Sequence, residues 1–497
     1  MKKMNLLVMS LVSAAALSFS SCSSNDDLTG GGTQSQADGV YMTLKISGAT
    51  SHGTRTGVTA NKTTAENGSV AESTITEGMM YIYDGNTCVF SKVITKDMFE
   101  KAPTQETAGV TKPIKVAVTG AITTGKKYDV YFLANNTSIT DPIAATSIFT
   151  STTGGADFAT DKKFVMFNQN DGTKAAAHSK VEFTDAAKSE ATPAAADEIK
   201  LDRVVARIDN PSFAETVTTV TPAENTTTSI NVADVVAGIS YEGFAVSNLN
   251  NNSYVKQNWD SKFETLTVKW GEPKYYLPKS AYGTLYNADG FENFSSKEKP
   301  VSWKYAFENT TTNVDEATAV YFKVKVALTK TAMDASDFKD GTFYRYDGRL
   351  YTSIQAIYND AATGAISNPF TETNSITSAD VVAKITGTDG KLITDEAKLA
   401  KFREDYKIEV YRQGVMYYRW AISDNAYKPF VASKTTHTYS VLRNSIYRLT
   451  VTKVSEIGKD VPNGPEPDDP VKNPNFYMNV SVSINPWVLN AQPIELK

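Results

Sequence analysis

The chain has 497 residues, 41% hydrophobic and 21% charged, with a formal net charge of −5. That size and apolar fraction can bury more than one core. Two cysteines (Cys22, Cys88) and three histidines (His52, His178, His437) exclude a disulfide scaffold and a zinc site of clustered Cys and His. The acidic balance excludes a strongly basic nucleic-acid binder, while plentiful Asp and Glu leave an oxygen-liganded Ca²⁺ site open.

Lys2 and Lys3 precede an apolar stretch from Leu6 to Phe19. It is shorter than the roughly 20 residues of a membrane span and reads as a secretion signal over residues 1–21. Phe19-Ser20-Ser21-Cys22 has the small residues before a cysteine that a bacterial lipobox needs, which makes Cys22 the expected lipidation (palmitate) site; the alternative is an ordinary signal with an incidental cysteine. Asp26 and Asp27 follow, then a Ser-, Gly- and Thr-rich tether to residue 38.

Val40, Met42, Leu44 and Ile46 alternate with other residues, which predicts a half-buried strand. Residues 47–68 read as an exposed loop containing Arg55-Thr56. Strands are predicted at Met79–Tyr83 and Cys88–Phe90, joined by Asp84-Gly85, and at Ile114–Val118, Tyr128–Ala134 and Phe164–Phe167. Cys88 reads as a small core hydrophobe. Residues 169–199 read as a long loop. Leu201–Ile208 opens a second region with strands at Tyr241–Val246, Phe263–Trp270, Ala319–Leu328, Phe343–Tyr351, Ile408–Tyr411, Val415–Ile422 and Tyr447–Val454. Asp347-Gly348 and Gln413-Gly414 supply hairpin turns. Thr394–Tyr406 is the best helix, with Leu399 and Phe402 on one face. Five prolines make 458–475 an extended linker, and strands follow at Met478–Ile484 and Trp487–Leu489.

The expected fold class is all-β: two sandwich domains in tandem (56–199 and 200–457) with long loop insertions and a few short helices, then donor strands over 476–497. No phosphate loop, dinucleotide fingerprint, HExxH or G-x-S-x-G occurs. Each histidine falls in a segment read as loop, with no nucleophile elbow beside it. Asp468-Asp469 lie in the linker, which cannot hold two carboxyls across a cleft. The reading is therefore no enzyme, no cofactor and no metal.

Two segments match in pattern. Val40, Met42, Leu44 and Ile46 near the start are mirrored by Met478, Val480, Val482 and Ile484 near the end. Each strand is roughly 23 Å long at about 3.3 Å per residue. Each could put four apolar side chains into one groove, a gross gain of roughly 6–12 kcal/mol. Both could be ordinary strands of their own chain. Alternatively the first is a placeholder for the second of another subunit, which is strand complementation.

Several stretches resemble the Bacteroidales type V pilins, the FimA/Mfa superfamily, above all the Mfa-type major subunits. They are Thr54-Arg55 ahead of Glu72–Ile75, then Tyr128–Asn135, Leu201–Ile208, Tyr344–Tyr351 and Val441–Val451, with the Pro-rich linker and Ile484–Trp487. The resemblance implies two transthyretin-like sandwiches and a precursor carried to the outer membrane as a lipoprotein, touching membrane only through that anchor. A trypsin-like protease would cut between Arg55 and Thr56, discarding 22–55 with the displaced strand Val40, Met42, Leu44 and Ile46. Donor residues Met478, Val480, Val482, Ile484, Trp487 and Leu489 of another copy would fill the groove. Head-to-tail repetition gives an open filament, a cell-surface fimbrium for adhesion and biofilm. Partners are other copies, accessory tip and anchor subunits, and host or bacterial surface ligands. Carrying both strands points to the stalk; the alternatives are a tip or anchor subunit, or a monomeric surface lipoprotein binding glycans or host proteins.

Overall fold

Alternating apolar residues give a strand one buried face and leave its backbone to seek partners on both edges. A computed structural model of the chain shows where these partners are. It describes residues 39–48, 66–101, 113–120, 122–144, 146–170, 179–220, 232–258, 275–277, 295–296, 303–370, 376–423, 439–461 and 478–488. The expected strand Phe263–Trp270 and all three histidines lie outside them.

The described residues are mostly sheet with a few short helices. In the N-terminal half, one sheet has the order Ile46–Gly48, Ile199–Arg203, Met166–Asn168, Lys127–Ala134, Gly78–Asp84, Thr87–Ile94, with Ser179–Glu182 also on Lys127–Ala134. A second has the order Ala194–Ala195, Val40–Leu44, Ile114–Val118. Met42, Leu44 and Val116 of the small sheet and Ile82, Val130 and Phe132 of the large one belong to a single buried cluster. Cys88 is half-buried and packs against that cluster, and burial pushes its thiol pKa up.

The C-terminal half repeats the scheme. One sheet runs Lys304–Phe307, Val205–Ile208, Ser445–Val454, Met478–Val488, Glu66–Asn67, with Ser212–Phe213 beside Ser445–Val454. The other runs Ser295–Ser296, Val236–Ser247, Ala319–Leu328, Val415–Ala421. Phe244, Val320 and Phe322 of the second sheet share a core with Ala206, Tyr447 and Leu449 of the first.

Two strands that the alternation predicts as single are each divided between sheets. Val40–Ile46 breaks at Lys45, so that Val40–Leu44 lies in the small sheet and Ile46–Gly48 pairs with Ile199–Arg203 in the large one. Leu201–Ile208 breaks at Val204. Val204 and Val205 enter the first core and Ala206 the second, so consecutive apolar residues serve different layers. The segment 169–199, expected as loop, contributes the strands Ser179–Glu182 and Ala194–Ala195.

Asp84-Gly85 and Asp347-Gly348 do join hairpins. In the second, φ is 49° at Asp347 and 74° at Gly348, the left-handed pair that a tight two-residue turn requires. Gln413-Gly414 does not join one. Glu409–Tyr411 pairs with Phe343–Tyr346, whereas Val415–Ala421 pairs with Ala319–Leu328. The chain there passes from one sheet to another, and Gly414 lies against the Val326 carbonyl.

Between Ala319–Leu328 and Val415–Ala421, neighbours in one sheet, the chain inserts a module with its own core. The module holds helices Lys330–Ala335, Ile354–Ala362, Ser378–Ala383 and Glu396–Tyr406 and the strands Phe343–Tyr346, Arg349–Tyr351 and Glu409–Tyr411. Tyr344, Ile357, Val381, Leu399 and Phe402 form its core. Asp395 caps the expected helix by accepting from the Lys398 N–H. Ser353 and Thr377 cap two shorter helices that the sequence reading missed.

Gly414 has φ +78°, and a Cβ would sit 2.4 Å from the Val326 carbonyl oxygen. Gly414→Ala should therefore destabilise the fold by more than about 1 kcal/mol, read as a lower urea midpoint. An unchanged midpoint would show that the passage between sheets tolerates a side chain.

Candidate strand-exchange site

The N-terminal strand is held on both edges. Val40, Met42 and Leu44 pair antiparallel with Val118, Val116 and Ile114. On the other edge Met42 and Thr43 pair parallel with Ala194 and Ala195. The Ala196 N–H donates to the Thr43 carbonyl at 3.1 Å and the Ile199 N–H to the Lys45 carbonyl at 2.8 Å. Val40 is 6% exposed, and Met42, Leu44 and Ile46 are fully buried. The intervening Tyr41, Thr43 and Lys45 are half-buried, and Lys45 meets Glu198 at 3.5 Å. Burying four such side chains contributes roughly 6–12 kcal/mol before entropy, an upper figure for an already compact unfolded chain.

The C-terminal strand runs without interruption over Met478–Val488. Of the two readings of this strand, an ordinary strand of its own chain and a donor to another copy, the first describes the intact single chain. The strand pairs antiparallel with Ser445–Val454, from Ser445 opposite Pro486 to Val454 opposite Met478, with a register shift between Val451 and Lys453. A long connection adds little closure entropy, because that cost grows only with the logarithm of length. At its far end Trp487 and Val488 pair parallel with Glu66 and Asn67. The backbone of Val480, Val482 and Ile484 lies in this ladder. Cys22, Arg55, Thr56 and Leu489 lie outside the described residues.

Behind the Glu66–Asn67 strand, the chain enters a buried ionic junction that the sequence reading did not find. Glu72 is 3% exposed. Its carboxylate accepts from the Ser69 N–H at 2.7 Å, from Arg207 Nη1 at 3.0 Å and from the Tyr305 hydroxyl at 2.9 Å. Arg207 Nε also donates to Asp209 at 2.7 Å, and the guanidinium lies 4.9 Å from the centre of the Trp303 ring. Fully buried Arg203 donates to the Glu72 carbonyl at 2.8 Å, to Ser73 Oγ at 3.1 Å and to Asn444 Oδ1 at 3.3 Å. Burial pushes its pKa down to about 9, so it stays charged at neutral pH. A second buried pair, Arg443 with Glu308 at 2.7 Å, holds the Tyr254 and Val255 carbonyls as well. Glu72, Arg203, Arg207, Arg443 and Asn444 all fall in the stretches that carry the pilin resemblance. That clustering was the signal available in the sequence.

Among the described residues no group of three or more His, Cys, Asp or Glu could hold a metal ion, and no helix is long and apolar enough to cross a membrane.

Residues 409–493 match the family described as "Major fimbrial subunit protein type IV, Fimbrillin, C-terminal". That stretch includes the strands Glu409–Tyr411, Val415–Ala421, Ser445–Val454 and Met478–Val488. No curated protein matches the chain. Among solved structures, a fimbrilin (FimA) from Porphyromonas gingivalis W83 is 16% identical, covering 91% of this chain and 99% of its own, with a TM-score of 0.39. The tip fimbrial protein Mfa3 from Porphyromonas gingivalis is 10% identical over 90% of this chain and 100% of its own, with a TM-score of 0.34. A fimbrial assembly protein from Parabacteroides distasonis ATCC 8503 is 12% identical over 84% and 92%, with a TM-score of 0.31.

Burial works to raise the Glu72 pKa, but the Ser69 N–H, the Arg207 charge and the Tyr305 hydroxyl outweigh it and hold the pKa below the ordinary 4.5. A depressed carboxylate pKa adds stability that is fully present above the unfolded value and is lost as pH falls through the folded one. Glu72→Gln should destabilise the chain at pH 7 by about 3–5 kcal/mol, because it uncouples a buried pair. It should also flatten the loss of stability below about pH 4.5. Urea titrations of both proteins at pH 7 and at pH 3.5 check this; parallel pH dependences would refute the assignment.

Proposed function

We propose that this chain is the precursor of a stalk subunit of a cell-surface fimbrium, of the Mfa type, that polymerises by exchanging strands between copies. The observation that carries the proposal is the position of residues 40–48. They supply the central strand of one sheet and an edge strand of the facing sheet, yet they lie at the start of the described fold. A protease cut within residues 49–65 would therefore separate them from the rest of the chain without cutting any described strand. The fimbrillin match over residues 409–493 supports the fimbrial reading from the other end of the chain.

In this mechanism Cys22 carries the lipid of the precursor and a trypsin-like protease cuts after Arg55. Loss of Val40–Leu44 would leave Ile114–Val118 and Ala194–Ala195 facing each other across a gap of about two strand spacings, or ~9.6 Å. A strand with the same period, such as Met478–Ile484 of another copy, can bond to both edges and refill the apolar slot. In the intact chain that strand is paired at home with Ser445–Val454. Exchange thus trades one ladder for another, and the vacated slot supplies the bias toward assembly. The covalently attached occupant prevents early assembly through its high effective concentration. Repetition is heterologous and gives an open filament with adhesive tip and anchor partners at its ends.

Arg55→Ala should leave a surface precursor that forms no heat-sensitive polymer ladder on gels. An undiminished ladder with the N-terminal strand still attached would contradict the placeholder role. Deleting residues 476–497 should give a monomer that accepts a strand but donates none; normal fibres from it would remove the donor assignment. An intact lipidated chain without any ladder in the native protein would favour a monomeric surface binder.

A further inference from the structure

The extended linker expected from residue 458 starts later, because the structure binds the chain down to Asp460. The Glu456 carbonyl accepts from the Tyr418 hydroxyl at 2.8 Å, and the Gly458 carbonyl accepts from the Tyr411 hydroxyl at 2.8 Å. The Ile457 side chain is fully buried. Lys459 exchanges backbone hydrogen bonds with Tyr417, at 2.8 and 2.9 Å, and its Nζ meets Glu409 at 3.4 Å. The backbones come so close that a Cβ on Gly458 would sit 2.5 Å from the Tyr417 carbonyl oxygen. Asp460 is 3% exposed and accepts from Arg403 Nε at 2.5 Å and from the Val410 N–H at 2.9 Å. Arg403 is held in turn by Glu396 at 2.6 Å, which also binds Arg412 at 3.2 Å.

These contacts come from three places. Tyr417 and Tyr418 belong to the strand Val415–Ala421 of the sandwich. Tyr411, Glu409 and Val410 belong to a strand of the inserted module. Arg403 and Glu396 lie on its helix Glu396–Tyr406. Buried charges are retained where a partner fixes them, and losing one partner leaves the other uncompensated.

We infer that residues 456–460 moor the C-terminal strand's linker to the inserted module and to the sandwich strand Val415–Ala421 beside it, so that the strand's reach, and any pull on it, starts at Val461. The inserted module then works as the seat of this mooring. From Val461, the 16 residues 462–477 would span roughly 50 Å at the polyproline II rise of about 3.1 Å per residue. The mooring itself is a property of the single chain. Its load-bearing role rests on the fimbrial reading above.

Two variants of the full chain test it, Asp460→Ala and Gly458→Ala. The first removes the acceptor of Arg403 and Val410; the second wedges the chain off Tyr417. Hydrogen exchange read by mass spectrometry should speed by about tenfold or more at the amides of Val410, Tyr417 and Lys459 in both. Exchange within Ala319–Leu328 should stay as in the native chain, and trypsin should gain a cut after Lys459. Unchanged exchange in both variants, or loss of protection throughout the sandwich in both, overturns the mooring. In filaments, sheared fragments of the variants should be shorter than native ones. Equal lengths overturn the load-bearing role, and a native chain that never polymerises contradicts the fimbrial reading while the exchange result stands.

Discussion

A strand in the middle of a sheet satisfies its own backbone groups and those of two neighbours at once. Removing it orphans two rows of donors and acceptors, one on each neighbour, and opens an apolar slot one strand wide. Val40–Leu44 holds such a position, antiparallel to Ile114–Val118 and parallel to Ala194–Ala195, with Met42 and Leu44 fully buried. The same segment turns at Lys45 and continues as an edge strand of the opposite sheet. Both layers of the N-terminal sandwich thus depend on residues that precede Arg55 in the sequence. The requirement on any replacement is strict in period and loose in identity: apolar at alternate places, with free backbone groups.

The strand Glu66–Asn67 and the C-terminal strand meet in the C-terminal half. The strand Glu66–Asn67 lines the end of the C-terminal strand, and within a few residues Glu72 enters the ionic junction with Arg207, Arg203 and Tyr305. Hydrogen bonds from Arg203 to Asn444 extend this junction to the turn before Ser445–Val454, the strand on which Met478–Val488 is paired. Charges buried this deeply cost desolvation energy and repay it only through geometry. Here the geometry ties the chain from Glu66 onward to the sheet that carries the C-terminal strand. The body of the protein therefore has bonds to residues 66–73 that do not depend on residues 40–48.

Much of the fold is legible locally. Period-two alternation gives Val40–Ile46, Ile114–Val118 and Ala319–Leu328, and Asp-Gly pairs mark two hairpins, the second with both residues left-handed. What is hidden depends on partners far along the chain. Nothing near Lys45 or Val204 says that a strand changes sheets there. Gln413-Gly414 looks like a hairpin turn because its conformation is one, but its flanking strands find other neighbours. The short helices of the inserted module have too few turns to display a period. Of the exchange site, both strands could be read from alternation. The junction at Glu72 and the mooring at Asp460 could not, because each joins residues tens to hundreds of positions apart. Their members are polar, and in a sequence polar residues read as surface.

The central claim is that the slot of Val40–Leu44 is filled, in the assembled form, by Met478–Ile484 of another copy. It is tested most directly by placing one cysteine at Lys115, which pairs with Thr43 of the resident strand, and another at Ser481 of the C-terminal strand, in a Cys88→Ser background. Oxidation of assembled material should give disulfide-linked multimers, and oxidation of the uncut precursor should give none. Polymer that forms normally while these two cysteines never link between chains would contradict the account.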